Sequence, residues 1–209
     1  MGENLQDKLT ASEFYYLIYG IESLEDCIKT LFAEALIKKA ISVNELETTD
    51  NDKSFFVKRD RVVSEFILNN FLDIVFNLKD TISLQEFATN CTNFLNYKFR
   101  MSNPDYRIDK KLNQSLLEKG FFIKQNIFLF KRLRKKAKAL KVISDIDRVK
   151  LNPFHFAEVK NGLNQNDLFK LYRNEISDFE RYMEDALNRR VITVAPIVEL
   201  GRRYPVIKE

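Results

Sequence analysis

The chain carries the same run of local signals twice. Residues 22–59 (ESLEDCIKTLFAEALIKKAISV and, past a polar stretch, KSFFVKR) and residues 105–132 (DYRIDKKLNQSLLEKGFFIKQNIFLFKR) each read as amphipathic helix, short break, apolar strand, turn and second strand ending in Lys-Arg. An amphipathic helix must bury its stripe, and a lone two-stranded ribbon is marginal in water. Each ribbon therefore has to fold back onto its helices. That is the layout of a winged helix-turn-helix, present twice. The expected fold class is mainly α (α+β): tandem winged-helix-like units, each with a small β-hairpin, plus a C-terminal helical extension. The expected boundaries are 1–80 for the first unit, 81–150 for the second unit with a basic helix, and 151–209 for the last helix and tail.

Helix starts are legible as caps. Thr10 and Glu13 have capping-box spacing, Phe14, Leu17 and Ile18 share one face, and Gly20 supplies the left-handed stop. Ser23 and Asp26 mark a second start, with Leu24, Ile28, Leu31 and Ala35 inward. Ile41–Val43 and Phe55–Val57 read as strands on either side of the polar loop Asn44–Lys53. Asp60 is placed to cap a helix with the stripe Val63, Ile67, Phe71, Ile74 and Leu78. Ser83 and Glu86 repeat the capping pattern ahead of Leu84, Phe87, Cys91, Phe94 and Leu95. Asn103-Pro104 breaks the chain, and a helix through Ile108, Leu112 and Leu116 runs to Gly120. Phe121–Lys124 and Ile127–Phe130 form the second ribbon, turning at Gln125-Asn126. Leu133, Ala137 and Leu140 keep helical spacing beyond it, which predicts one helix with a cationic outer face over 131–141. Pro153 ends that region. Asp167–Arg190 is the last strong helix, with the stripe Leu168, Tyr172, Ile176, Phe179, Met183 and Leu187; Val191–Val194 is β-prone.

Composition narrows the class. The chain of 209 residues is 45% hydrophobic with 18 Phe, which is ample for a core and excludes a disordered chain. Only 5 Gly and 4 Pro interrupt it, which favours helices. The opening residues MGENLQDKLT are polar and do not read as a secretory signal, and no apolar run is long enough to span a bilayer. The expectation is a cytoplasmic protein without integral membrane insertion. Cys27 and Cys91 both fall at apolar helical positions and read as buried thiols.

Enzyme signatures are missing. The one histidine, His155, has no second histidine or cysteine pair with which to hold zinc, and the glycines stand too far apart for a phosphate loop. Asp145 and Asp147, and Asp178, Glu180, Glu184 and Asp185, read as solvated helix faces rather than an acid–base or metal site. No catalytic residue, cofactor or metal is expected.

Charge supplies the functional expectation. The net charge is +4, yet residues 117–141 alone hold nine Lys or Arg against one acid, Glu118. A basic zone on a mildly acidic body points to a polyanionic partner. In a winged helix the second helix of the motif enters the major groove and the wing touches phosphate. The second unit offers Arg107, Lys110, Lys111, Asn113 and Gln114 on that helix, then Lys131, Arg132, Arg134, Lys135 and Lys136 beyond the ribbon. Arg, Asn and Gln can read base edges, and Lys can contact phosphate. The equivalent first helix carries Glu22, Glu25, Asp26 and Glu34, which repel a backbone. The expected function is a non-enzymatic binding protein that engages DNA or another polyanion through its second unit. The alternatives are a protein partner or homo-oligomer, and peripheral contact with anionic lipid headgroups.

The segment from Ala11 to Val43 resembles the N-terminal part of a bacterial family of unknown function. Its members begin with P-E-x-A-Y-L-x-G-G … A-L-x-x-L-x-x-x-G-L-L-x-V and later cross the membrane. Glu13, Tyr16, Leu17, Gly20, Leu31 and Ile41–Val43 match. Ser12 replaces the proline, Ile21 the second glycine, and Ala40 stands near the later glycine. The second unit, LNQSLLEKGFFIKQN, is similar in the same way. The order of elements also resembles the helical, winged-helix-like fold of Golgi phosphoprotein 3-like proteins, which implies a phosphoinositide-headgroup partner as one form the polyanion could take. Both resemblances stop before residue 150.

Overall fold

A computed structural model describes residues 9–47, 53–127, 130–137, 139–140, 152–164 and 167–202. The expectations for Asp145, Asp147, the centre of the Asn44–Lys53 loop and the final residues concern positions outside them. The protein is mostly helical with two small antiparallel sheets. Its helices are α1 (Ala11–Tyr19), α2 (Leu24–Ile37), α3 (Phe66–Phe76), α4 (Leu84–Thr92), α5 (Tyr97–Ser102), α6 (Ile108–Glu118), α7 (Pro153–Lys160) and α8 (Asp167–Arg202). The strands are β1 (Ile41–Glu47), β2 (Lys53–Arg59), β3 (Thr81–Ser83), β4 (Phe122–Ile127) and β5 (Phe130–Lys135). The two hairpins lie in separate sheets, one ordered β1-β2-β3 and the other β4-β5.

The first half follows its caps. The Thr10 hydroxyl accepts from the Glu13 N–H at 3.2 Å, and the Glu13 carboxylate accepts from the Thr10 N–H at 2.8 Å. The expected capping box is formed. Glu34 of α2, fully buried, adds a second cap, accepting from the Ala11 and Ser12 N–H groups at 2.8 and 3.3 Å. Gly20 ends α1 at φ +79° and ψ −162°, a positive-φ region open to glycine but not the left-handed helical one expected. Ser23 lies at the start of α2, but its hydroxyl donates to the Gly20 carbonyl at 2.6 Å instead of capping the helix.

Two expectations about the middle of the chain are corrected and one strand is added. Asp60 does not cap α3, which starts at Phe66; the Asp60 N–H donates to the Ala40 carbonyl at 2.9 Å, which keeps the chain on the base of β1. Leu78 lies outside the buried stripe and is fully exposed, because α3 stops at Phe76 and Asn77 turns left-handed. A third strand, β3, pairs Ile82 with Val57 and Thr81 with Lys58. It comes from beyond residue 80, too short to leave a periodic signal, and it buries Ile82 against the first hairpin.

The core is one cluster extending from Leu9 to Met183. Phe32 of α2 stacks on Phe179 of α8 with centroids 4.1 Å apart, and Phe87 of α4 lies within 6.1 Å of Phe179. Leu168, Ile176, Phe179 and Met183 are buried as the stripe requires. α8 has a kink at Tyr172 (φ −130°) and continues through Val191–Val194, so that stretch is helix and not strand. Glu158 of α7, buried, accepts from the Leu168 N–H at 2.5 Å and so caps α8 from a neighbouring helix, as Glu34 caps α1. Both cysteines are buried and unpaired, as expected.

Candidate nucleic-acid interface

α6 is amphipathic in the expected register. Ile108, Leu112 and Leu116 are buried against the core, while Lys110, Gln114 and Glu118 are exposed. Its main neighbours are α1, α3 and β4, so the last helix does not cover its outer face. Two anchors fix it. Glu13 of α1 accepts from Ser115 Oγ and, at 2.6 Å, from Lys119 Nζ. At the other end Asp109, almost fully buried, holds Arg100 at 2.7 Å and Arg107 at 3.5 Å.

These anchors divide the expected contact residues. Arg107 is committed to Asp109. Lys111 donates to Asn70 Oδ1 and, at 2.9 Å, to the Asp105 carbonyl; burial holds its ammonium below the ordinary lysine range. Both therefore act as struts of the fold. Asn113 is half-buried beside Tyr16, whose phenol burial pushes up to about 12, with the Asn113 hydrogen bond acting against that rise. Lys110 and Gln114 face outward, and Gln114 donates to Glu118 at 2.9 Å.

The hairpin differs from the expectation in two ways. Its turn is not at Gln125-Asn126. The strands run through those positions, pairing Gln125 with Arg132 and Asn126 with Lys131, and the last pair is Ile127 with Phe130. Extending the ribbon pairs more backbone N–H and C=O groups than a turn at 125–126 would. The basic run Lys131–Lys135 is therefore strand β5, not the start of a helix. Helical structure resumes only beyond Lys136, at Ala137, Ala139 and Leu140. One apolar residue between charged ones, Leu133, fits both a two-residue and a 3.6-residue period, and pairing to β4 decides between them.

The pleat then assigns faces. Phe122 and Lys135 are opposite partners and share a face; Phe122 is buried, Lys135 is half-buried, and desolvation holds its ammonium below the usual lysine range. Lys135 is thus not the solvent-facing residue expected. Arg134, opposite Ile123, is exposed, as is Lys136. Lys131 and Arg132 occupy the outer half of β5. Backbone bonds from Phe121 N–H to the Leu116 carbonyl (2.7 Å) and from Lys136 N–H to the Phe121 carbonyl (2.9 Å) join the ribbon to the end of α6.

Helix and ribbon so joined enclose an open cleft of about 990 Å³. Lys110, Asn113, Gln114 and Glu118 line its helix side. Leu117, Phe122, Ile123 and Leu133 make it apolar, and Lys124 and Lys136 stand on the ribbon side. Lys124, in β4, belongs to the basic zone of 117–141 but was not among the expected contact residues, because it stands apart from the run that starts at Lys131. Among the described residues, Lys110, Lys124, Arg134 and Lys136 make no ion pair.

Among the described residues no group of His, Cys, Asp or Glu is arranged to hold a metal ion, and no helix is long and apolar enough to cross a membrane. His155 contacts the buried Glu158 at 3.2 Å. No protein-family model, curated protein or solved structure matches this chain.

Proposed function

We propose that the chain is a non-enzymatic nucleic-acid-binding protein built from two winged-helix-like units, in which the second unit binds and the first supports. One observation carries this reading. Among the described residues nothing covers the outer face of α6, which continues into the β4–β5 ribbon, so that Lys110, Lys124 and Lys136 border one cleft. Exposed cations without internal partners attract phosphate at little cost, since no ion pair has to be broken first. Asn113 and Gln114 lie between them, with amide groups suited to base edges. The first unit contributes differently: Lys29 on α2 is neutralised by Glu25 (3.0 Å) and by Glu180 of α8 (3.4 Å).

The test is fluorescence anisotropy of the full chain with labelled random-sequence nucleic acid, single- and double-stranded, over a salt series. About four phosphate contacts, from Lys110, Lys124, Arg134 and Lys136, give a log–log salt slope of about −3 to −4. Lys110→Glu with Lys136→Glu abolishes binding while circular dichroism and thermal midpoint stay as in the parent. Absence of binding to either form at low salt refutes the reading. Stronger retention by vesicles of anionic phospholipid than by nucleic acid would assign the cleft to a membrane surface instead.

A further inference from the structure

The cleft suits one form of nucleic acid better than the other. We infer that its ligand is an unpaired strand, whose bases lie in the groove between α6 and the ribbon while its phosphates follow the lysines at the border. This rests on the nucleic-acid reading above and specifies its substrate.

Three observations favour it. First, the surface is a shallow, open depression and not a projecting element. A duplex is read by an element that projects into its groove. Here the outward face of α6 forms one wall of a cleft of about 990 Å³, and the ribbon forms the other. Second, the cleft is apolar where a duplex would bring only phosphate. Leu117, Phe122, Ile123 and Leu133 line it; Phe122 is nearly buried, while Ile123, on the opposite pleat from Phe122 and Leu133, is 47% exposed at its rim. Phosphate gains nothing from such groups, whereas an unstacked base has an apolar face to cover. Third, cations flank these apolar groups: Lys110 on the helix, Lys124 opposite Leu133 and Lys136 at the end of the ribbon. A charged border around an apolar floor matches a strand with its sugar–phosphate outward and its bases inward. Among the described lining residues the one acid is Glu118, which accepts from Gln114 at 2.9 Å.

The experiment compares the full chain with three probes at one moderate salt concentration: a labelled oligothymidylate, a mixed-sequence duplex of equal length, and heparin as a polyanion without bases. The expected result is that oligothymidylate binds about tenfold more tightly than the duplex. Ile123→Ser weakens oligothymidylate binding about fivefold and leaves heparin binding unchanged, because it removes a base contact and no charge. Ile123 is half exposed, so the variant keeps its fold, which its thermal midpoint verifies. Duplex binding equal to or tighter than oligothymidylate binding overturns the inference but leaves the nucleic-acid reading standing. Equal loss of heparin and oligothymidylate binding in Ile123→Ser also overturns it. Failure of both nucleic-acid probes alone, with heparin retained, removes the nucleic-acid reading itself.

Discussion

The Glu13 carboxylate accepts from the Lys119 ammonium at 2.6 Å, across 106 residues of chain. Glu13 is buried, and the same carboxylate closes the capping box of α1 and accepts from Ser115. One side chain therefore caps α1 and fixes α6, the helix that lines the cleft. Glu13→Ala removes a cap and the carboxylate that accepts from Lys119 and Ser115. The expected loss is about 2 to 4 kcal/mol, read as a lower urea midpoint with unchanged slope.

Glu34 gives a pH signature. Burial raises its carboxyl above the ordinary range, and the Ala11 and Ser12 N–H groups and Lys38 only partly oppose that. A carboxyl with a raised folded value binds its proton more tightly in the native state than in the unfolded state. Its contribution is then most favourable below the unfolded value of about 4.3 and declines as pH rises through the folded value. Glu34→Gln removes this slope and one of two acceptors. Urea titrations should show a deficit against the parent that is largest at acid pH and shrinks toward neutrality. A deficit that grows with pH would contradict the assignment.

Phe32 and Phe179 hold α8 to the body. Truncating either to Ala should cost about 3 to 5 kcal/mol. The double variant should cost less than the two single values together, by about 0.5 to 1.5 kcal/mol for the stacked pair. Chemical denaturation of all four proteins closes the cycle.

Leu78 is fully exposed and left-handed, at φ +67°. Leu78→Gly relieves a strain of about 1 to 2 kcal/mol and adds about 0.5 to 1 kcal/mol of unfolded-state entropy. The net expectation is a small rise in thermal midpoint. A fall would mean that Leu78 is packed after all.

Lys135 and Lys136 should separate in their effects. Lys136→Glu weakens binding to polyanions with stability unchanged, because the side chain is exposed. Lys135→Glu lowers stability as well, since it places a carboxylate beside Phe122 where even the native ammonium is desolvated. Thermal scans alongside binding curves distinguish the two.

Much of the local structure could be read directly from the chain. The capping box at Thr10 and Glu13, the stripes of α2, α6 and α8, the two hairpins and the buried cysteines depend on nearest-neighbour spacing, and spacing is a property of sequence. The outward placement of Lys110 and Gln114 follows from the same periodicity. Contacts between distant segments were not readable. Nothing near Lys111 or Lys119 in the chain shows that Asn70 and Glu13 occupy their charged ends. Nothing near Lys124 shows that it faces the same cleft as Lys110. The basic run after residue 130 fits helix or strand by its own pattern, and only pairing with β4 made it a strand. Periodicity determines which face of an element is apolar. Which cations remain available to a partner depends on what the folded chain brings against them, because a charge is neutralised by neighbours in space and not by neighbours in sequence.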